Sequence, residues 1–483
     1  MKLRELLAGM EILGASADLD MEIQSVAYDS RKVTPGCLFV AVAGFATDGN
    51  RYIPMALEKG AAGVVTAKEP EKDIPYVLVA SDRLALAQIA ANYYGHPADS
   101  MKLIGVTGTN GKTSSTLLLK HVLETVLGAK VGLMGTMENM IGRKSIPTER
   151  TTPESFELQA LLARMRDEGC TYVIMEVSSH AIALERVGGL HYAVTAFTNL
   201  TEDHLDFHKT MESYCDTKAL LFARCDKAVA NLDDLWFERM CGKAACPVLT
   251  VSAKKEADLY AQNEELLADG VRFTAVSGQE RVSVKLPIPG KFTVYNALTV
   301  LGMAMQLGIS LPDAAKALET AQGVKGRVEV VPTPGKPYTV LIDYAHTPDG
   351  LENVLSSVKG FCKGRLIAVF GCGGDRDPIK RPIMGKIGTD IADIAIITSD
   401  NPRTEEPASI IADIVKGIDP WKNNWEVIEN RVQAIHQAMD IGKKNDIIVL
   451  AGKGHETYQE IHGVKHHLDE REVVAAYMEE TRE

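Results

Sequence analysis

The chain has 483 residues, 46% of them hydrophobic and 24% charged, with a formal net charge of -12. A chain of this length outgrows one hydrophobic core, so roughly two to four domains are expected. The acidic balance excludes nonspecific nucleic-acid binding, because a phosphate backbone would be repelled.

Eight cysteines, at 37, 170, 215, 225, 241, 246, 362 and 372, include no C-x-x-C pair. They are too sparse for a disulfide scaffold and read as reduced thiols of a cytoplasmic protein. The opening MKLRELLAGMEI is too charged for a signal peptide. No apolar run reaches the ~18 residues that a membrane span needs.

Residues 1–98 read as short strands with one helix: GCLFVAVAG as a buried strand, then RYIPMALEKGAAGVVTA as helix, glycine stop and strand. YYGHPADSMK, with its Gly and Pro, reads as a linker. From 99 onward strands and helices alternate. KLIGVTG, KVGLMGT and TYVIMEVSS are strands; KTSSTLLLKHVLETVLG and PESFELQALLARMRDEG are helices, the second opening at Pro153 and stopping at Gly169. A second alternating set begins near 331, with strands in YTVLIDYAH, RLIAVFGCGG, DIAIITSDNP and DIIVLAGKGH. The pattern predicts an α/β protein with mostly parallel sheets, covered by helices on both faces. Ligands belong at the C-terminal ends of such strands. Three domains are expected: 1–98, 99–330 and 331–483.

GVTGTNGKT joins an apolar strand, a glycine turn and a helix start. Backbone N–H groups converge there and the helix dipole favours negative charge, which makes an anion site. Gly108 and Gly111 let the backbone approach phosphates, Lys112 reaches the terminal ones, and Thr113 is placed for Mg²⁺. The alternative, a tight turn with a solvated lysine, fits less well because strand, turn and helix are in register. Glu176 ends a strand at the level where a nucleotide-bound Mg²⁺ needs a carboxylate. Asp203, His204, Asp206, His208 and Lys218 follow within a short span. Taken alone, Lys218 reads as a solvated lysine; buried, its neutral amine could take up CO₂ as a carbamate.

Taken together, YDSRKVTPGCLFVAVAGFATDG, GVTGTNGKT, RTTPE, EVSSHA with ERV, NLTEDHLDFH, KFTVYNAL, GRVEVV, IDYAHTPD, GGDRD, DNPR and AGKGHE occur in this order along nearly the whole chain. On these motifs the chain resembles the Mur ligases, most closely the MurE branch. The resemblance implies a small N-terminal α/β UDP-binding domain, a central P-loop-type parallel sheet and a C-terminal Rossmann-like domain. It implies an ATP-dependent ligase of peptidoglycan precursor synthesis, and so of cell wall biogenesis, cell shape and division. Such enzymes work through an acyl phosphate and use no enzyme nucleophile.

The roles that the resemblance implies run position by position. Gly108, Thr109, Asn110, Gly111, Lys112, Thr113 and Ser114 hold ATP, with Asn296, Arg327 and Asp343. Thr113, Glu176, His204 and a carbamylated Lys218 serve Mg²⁺, and Lys112, His204 and Lys218 are the catalytic set. Ser30 and the loop Phe45-Ala46-Thr47 hold the UDP part of UDP-N-acetylmuramoyl-L-alanyl-D-glutamate. Thr151, Thr152, Ser178 and Arg186 meet its sugar-peptide part. Two positions depart from relatives: Leu184 stands where some have a glutamine, and Phe45 where a more polar residue is usual.

The second substrate turns on DNPR. meso-Diaminopimelate carries a far carboxylate that L-lysine lacks, so a site selecting it needs a cation there. Arg403 supplies it, with Asp400, Asn401 and Pro402, and Arg376 is a second cation. Gly452 and Glu456 are expected to meet the amino group. Read alone, DNPR is a surface turn with a solvated arginine. Lysine-adding and folylpolyglutamate synthetase-like ligases are the alternatives. The resemblance also carries closure of the C-terminal domain to shield the acyl phosphate, and a monomer without nucleic-acid or membrane partners.

Overall fold

The computed structural model describes residues 1–44, 47–70, 73–148, 150–267 and 269–481. Phe45 and Ala46 of the expected UDP loop, and the side chain of Asp206, lie outside the described residues. The chain divides into two compact units, Met1–Leu259 with Thr299–Ala314, and Tyr260–Leu298 with Ala315–Glu483.

The first unit holds two sheets. The N-terminal one has five strands in the order Ile12–Ala15, Tyr76–Val79, Gly63–Thr66, Cys37–Val40 and Ser25–Ala27. Only the Ile12–Ala15 strand runs antiparallel to its neighbour. Among the described residues the region carries three α-helices rather than one: Leu3–Leu6, Ile53–Glu58 and Asp82–Tyr93. Ser81 caps the last of these by accepting from the Leu84 N–H. This helix buries Ala85, Leu86, Ala87, Ile89 and Ala90, so it has little of the one-sided apolar stripe by which a surface helix is read. The expected linker is packed instead: Pro97–Ser100 forms a 3₁₀ turn, and Tyr94 lies against Phe156 with ring centroids 5.3 Å apart.

The second sheet of this unit places Lys102–Thr107 centrally. Val194–Phe197, Ala228–Asn231 and Val248–Ser252 extend it on one side, Tyr172–Glu176 and Val131–Met134 on the other, all parallel. An antiparallel ribbon, Asn139–Ile141 and Lys144–Ile146, finishes that edge. Val131–Met134, Val194–Phe197 and Ala228–Asn231 are buried along their whole length, and Lys102–Thr107 and Tyr172–Glu176 at all but their first residue, as a sheet covered on both faces requires. The helix Lys112–Leu127 ends at Gly128 in the left-handed region. The next helix, Ser155–Asp167, begins two residues beyond Pro153, because Glu154 takes the cap position.

The second unit carries five parallel strands, Thr339–Asp343, Ile447–Ala451, Leu366–Phe370, Ile394–Ile397 and Trp425–Val427, in that spatial order. Glu329–Val331 pairs antiparallel at one edge. Apolar clusters cover both faces, one around Leu355, Phe370 and Met384 and one around Ile367, Ile435 and Val474. Three antiparallel strands, Leu259–Leu267, Gly270–Ser277 and Glu280–Leu286, precede the helix Lys291–Gln306. All eight cysteines are free thiols.

Candidate active site

The strand Lys102–Thr107 delivers the chain into the glycine turn at its C-terminal end. Gly108 sits at φ +145°, and a Cβ there would lie 2.0 Å from the Thr198 hydroxyl. Only glycine fits this approach. The turn is strapped to the loop after the neighbouring strand. Thr198 Oγ1 donates to the Asn110 carbonyl at 2.6 Å, the Asn110 N–H donates to Asn199 Oδ1 at 2.9 Å, and the Thr109 N–H donates to the Asn199 carbonyl at 2.8 Å. The Lys112 ammonium is held over the turn, donating to the carbonyls of Gly108 and Thr109 at 2.9 and 2.8 Å. Ser114 lies half-buried in the first turn of the helix that Gly111 opens.

Glu176 ends its strand fully buried. Its carboxylate accepts from Thr113 Oγ1 at 2.9 Å, and from Thr136 N–H and Oγ1 at 3.0 and 2.9 Å. A Cβ on Gly135 would come within 2.6 Å of Glu176 Oε1, so the carboxylate is close-packed as well as hydrogen-bonded. Thr113 and Glu176, expected to share a metal, are therefore in direct contact. A buried carboxylate beside a threonine hydroxyl is a hard oxygen donor set, which fits Mg²⁺. His204, at φ +55°, is half-exposed, with Nε2 3.4 Å from Asp203 Oδ2 and its ring edge-on to His180. Among the described residues no three His, Cys, Asp or Glu side chains converge as a metal site; the expected set contains only two such residues.

Lys218 departs most from its reading as a solvated side chain. It is 1% exposed, near the C-terminal end of the helix Met211–Ala219, with Nζ donating to the Gly108 carbonyl at 3.0 Å. Its ammonium also lies 4.7 Å from the Tyr214 ring centroid. Burial, and next the repulsion of Lys112, hold its pKa well below the usual lysine range.

Thr152, Ser178 and Arg186 are brought together. Thr152 Oγ1 donates to the Glu176 carbonyl at 2.8 Å and accepts from the Ser178 N–H at 3.2 Å. Arg186 Nη1 donates to the Thr152 carbonyl at 3.3 Å. Thr151 meets Thr136 hydroxyl to hydroxyl at 3.1 Å. Ser30 is buried at the start of a 3₁₀ turn, its carbonyl accepting from Lys59 Nζ at 3.0 Å. The Thr47 carbonyl accepts from the Gly44 N–H. Leu184 offers its carbonyl, to Arg83 Nη1 at 3.3 Å.

In the second unit Asn296 is buried on its helix, and the Arg327 guanidinium lies 5.3 Å from the Tyr344 ring centroid. Asp343 accepts from the Val328 and Ala345 N–H groups, both at 2.8 Å, while burial raises its pKa. DNPR is not a surface turn: Asp400, Asn401 and Pro402 are buried. Asn401 Nδ2 donates to Glu456 Oε2 at 2.8 Å, and Asn401 Oδ1 accepts from Lys453 Nζ at 3.0 Å. Arg403, at φ +52°, donates through Nη1 to the Gly374 carbonyl at 2.6 Å, with Nε 3.7 Å from Glu460 Oε2. Gly374 must be close to allow this; a Cβ there would lie 1.9 Å from the Pro402 carbonyl. Gly452 packs on Asp400, whose Oδ2 would be 2.4 Å from an added Cβ. Arg376 is exposed.

Sequence reasoning missed Thr136, Lys453 and Arg431. Thr136 follows the strand next to that of Glu176, and its position at a parallel strand's C-terminal end was the available signal. Lys453 lies inside AGKGHE, between two residues that were singled out. Arg431, wholly buried, donates to Glu470 Oε1 at 2.8 Å and to the Ala451 carbonyl at 2.9 Å; nothing local marked it.

Profiles of known families match three segments: the Mur ligase middle domain over residues 106–304, the Mur ligase glutamate ligase domain over 326–454, and the Mur ligase family catalytic domain over 22–94. A relative from Clostridium botulinum, named UDP-N-acetylmuramoyl-L-alanyl-D-glutamate--2,6-diaminopimelate ligase, is 49% identical over 95% of this chain and 96% of its own. One of the same name from Clostridium tetani is 48% identical over 99% and 100%. A solved structure of an enzyme so named covers 99% of both chains, with 32% identity and a TM-score of 0.77. The chain belongs to the Mur ligase family, in its MurE branch.

Proposed function

We propose that the protein joins meso-diaminopimelate to UDP-N-acetylmuramoyl-L-alanyl-D-glutamate in an ATP-dependent step of peptidoglycan precursor synthesis. The observation that carries this reading is the buried DNPR loop, with Asn401 and Glu456 hydrogen-bonded beside an Arg403 whose guanidinium is set by the Gly374 carbonyl. A fixed guanidinium suits the far carboxylate of diaminopimelate, and lysine would leave it unpaired. The names of the relatives support the same substrates.

The glycine turn cradles the phosphates of ATP, and Lys112 lies where the charge of the transferring γ-phosphoryl develops. The acceptor carboxylate attacks that phosphorus and ADP leaves, giving an acyl phosphate. The amine of diaminopimelate then attacks the acyl carbon; phosphate leaves as the amide forms and the amine loses a proton. Thr113, Glu176 and His204 would hold Mg²⁺, which neutralises phosphate charge when bound. Asn296, Arg327 and Asp343 of the second unit keep the nucleotide roles that the resemblance gives them. Lys218, buried with a depressed pKa, suits carbamate formation: its neutral amine adds to CO₂ and releases a proton. Short carboxylic acids restoring a Lys218→Ala variant would support this; wild-type activity of that variant without additive would remove it.

The domains proposed are 1–98, 99–330 and 331–483. No described helix is long and apolar enough to cross a membrane. We take the protein to act as a cytoplasmic monomer. The test of the function is phosphate release with ATP and the UDP-linked dipeptide. Release with diaminopimelate and little with lysine is expected; the reverse preference would favour a lysine-adding enzyme. Release with neither would reject the reading.

A further inference from the structure

Glu154 stands among three guanidinium groups. Its Oε2 lies 3.3 Å from Arg186 Nε, 3.8 Å from Arg83 Nη1 and 3.9 Å from Arg150 Nη1. The side chains of Glu154, Arg186 and Arg83 are 12, 14 and 17% exposed. One carboxylate faces two largely buried guanidinia, with Arg150, 55% exposed, as a third at the rim, so positive charge is in excess there, which is costly without a further anion. The distances are those of ion pairs rather than bidentate hydrogen bonds, and Arg186 Nε is buried with no hydrogen-bond partner. Backbone carbonyls fix the other donors: Arg83 to Leu184 and Ala43, Arg186 to Thr152. The guanidinia are thus held apart around a point they do not fill themselves. Arg186 feels this: burial lowers its pKa, Glu154 opposes that, and the charges of Arg150 and Arg83 lower it again, for a net shift downward.

The surroundings supply room. Arg150 and Glu154 also line a cavity of about 370 Å³, whose other charged walls, Lys32 and Glu157, face each other at 4.0 Å and cancel. The cluster joins the reacting end through Thr152, which bonds both Arg186 and the Glu176 backbone.

We propose that Arg83 and Arg150 complete, with Arg186, a binding site for an oxyanion of the acceptor substrate, and that Glu154 is the internal carboxylate which holds the three guanidinia until that oxyanion displaces it. This rests on the acceptor named above. That molecule offers two such groups: the glutamate carboxylate that is not phosphorylated, and the diphosphate. The three guanidinia and the bond to Thr152 favour the carboxylate, which must lie within a few bonds of the reacting one.

Calorimetric titration of the full chain with the UDP-linked dipeptide, and with the UDP-linked monopeptide lacking the terminal glutamate, tests this. Arg83→Met and Arg150→Met are each expected to weaken the dipeptide about tenfold, the size of one lost charge-assisted bond, and to leave the monopeptide within about twofold. Glu154→Gln is expected to tighten the dipeptide several-fold, because the competing carboxylate is gone. Equal weakening of both ligands would keep the site and assign it to the diphosphate. Wild-type affinity in both arginine variants, or a Glu154→Gln variant weakened as much as they are, would overturn the proposal by making the cluster a scaffold. Arg150 is half-exposed, so its variant carries the test if Arg83→Met fails to fold. A wild-type chain that binds neither ligand would instead reject the proposed function, and the inference with it.

Discussion

Glu176, the last residue of a parallel strand in the first unit, and Glu456, in the loop after a parallel strand in the second, are both carboxylates at the C-terminal ends of strands, yet their partners differ in kind. Glu176 is held by two threonine hydroxyls and one backbone N–H, all neutral donors. Glu456 is held by Asn401 and by the ammonium of Lys453, which is 0% exposed. Behind it, Arg431 and Glu470 form a second buried pair. Neutral donors orient a carboxylate and leave its charge for a cation to use. Charged partners cancel it and lock neighbouring loops together. The first arrangement suits a metal that comes and goes with nucleotide; the second suits a rigid mould for one amino acid.

The strongest way to break this comparison is at the phosphate turn. Lys112→Ala removes one of the two ammonium groups held against it, the half-buried one, and is expected to lower turnover on the order of 10³-fold or more, with the fold intact by circular dichroism. Retained ligation would deny Lys112 its role. Next comes the ion-built region. Arg431→Met leaves Glu470 buried and unpaired, and is expected to cost about 3–5 kcal/mol in urea denaturation. The double variant with Glu470→Leu should recover much of that loss, because both charges are then gone. A single variant as stable as the wild type would show that the network is not what locks these loops.

Arg403→Ala probes the mould itself. It should raise KM for diaminopimelate about 10²-fold, the size of one unpaired buried charge, and leave KM for ATP nearly unchanged. Equal changes in both constants would move Arg403 from selecting the amino acid to supporting the fold.

The same contrast explains what the sequence made legible. The phosphate turn is local: Gly108, Gly111, Lys112 and Thr113 span six residues, and their roles follow from one strand, one turn and one helix. The parallel strands that were readable, such as Val131–Met134, Leu366–Phe370 and Ile447–Ala451, are short, wholly apolar runs. Val194–Phe197, Val248–Ser252 and Trp425–Val427 are broken by a polar or charged residue and Ala228–Asn231 is closed by one, and these were not read. Of the partners of Glu456, Lys453 lies only three residues away, but the rest of the network is not local. Asn401 is 55 residues away and Glu470 is 39 from Arg431, so no period or spacing joins them. Lys218 misled for a related reason: its surroundings come from Thr107 and Gly108, more than a hundred residues earlier. The helix Asp82–Tyr93 escaped because apolar residues nearly surround it, and the strands at 259–286 because they break the alternating pattern.

The smallest effect is expected among the neutral donors, and it sharpens the comparison most. Thr136→Val keeps the shape of the side chain and removes one hydroxyl from Glu176. The Thr136 N–H and the Thr113 hydroxyl remain at 3.0 and 2.9 Å. Loss of one hydrogen bond to a carboxylate costs about 1.5 kcal/mol. Because two donors still hold Glu176, the loss should appear as a looser carboxylate rather than an unfolded chain. The Mg²⁺ concentration for half-maximal phosphate release should rise by no more than about tenfold, with KM for diaminopimelate unmoved. A variant that unfolded, or that lost discrimination between diaminopimelate and lysine, would mean that the hydroxyl-built end is as interlocked as the ion-built one.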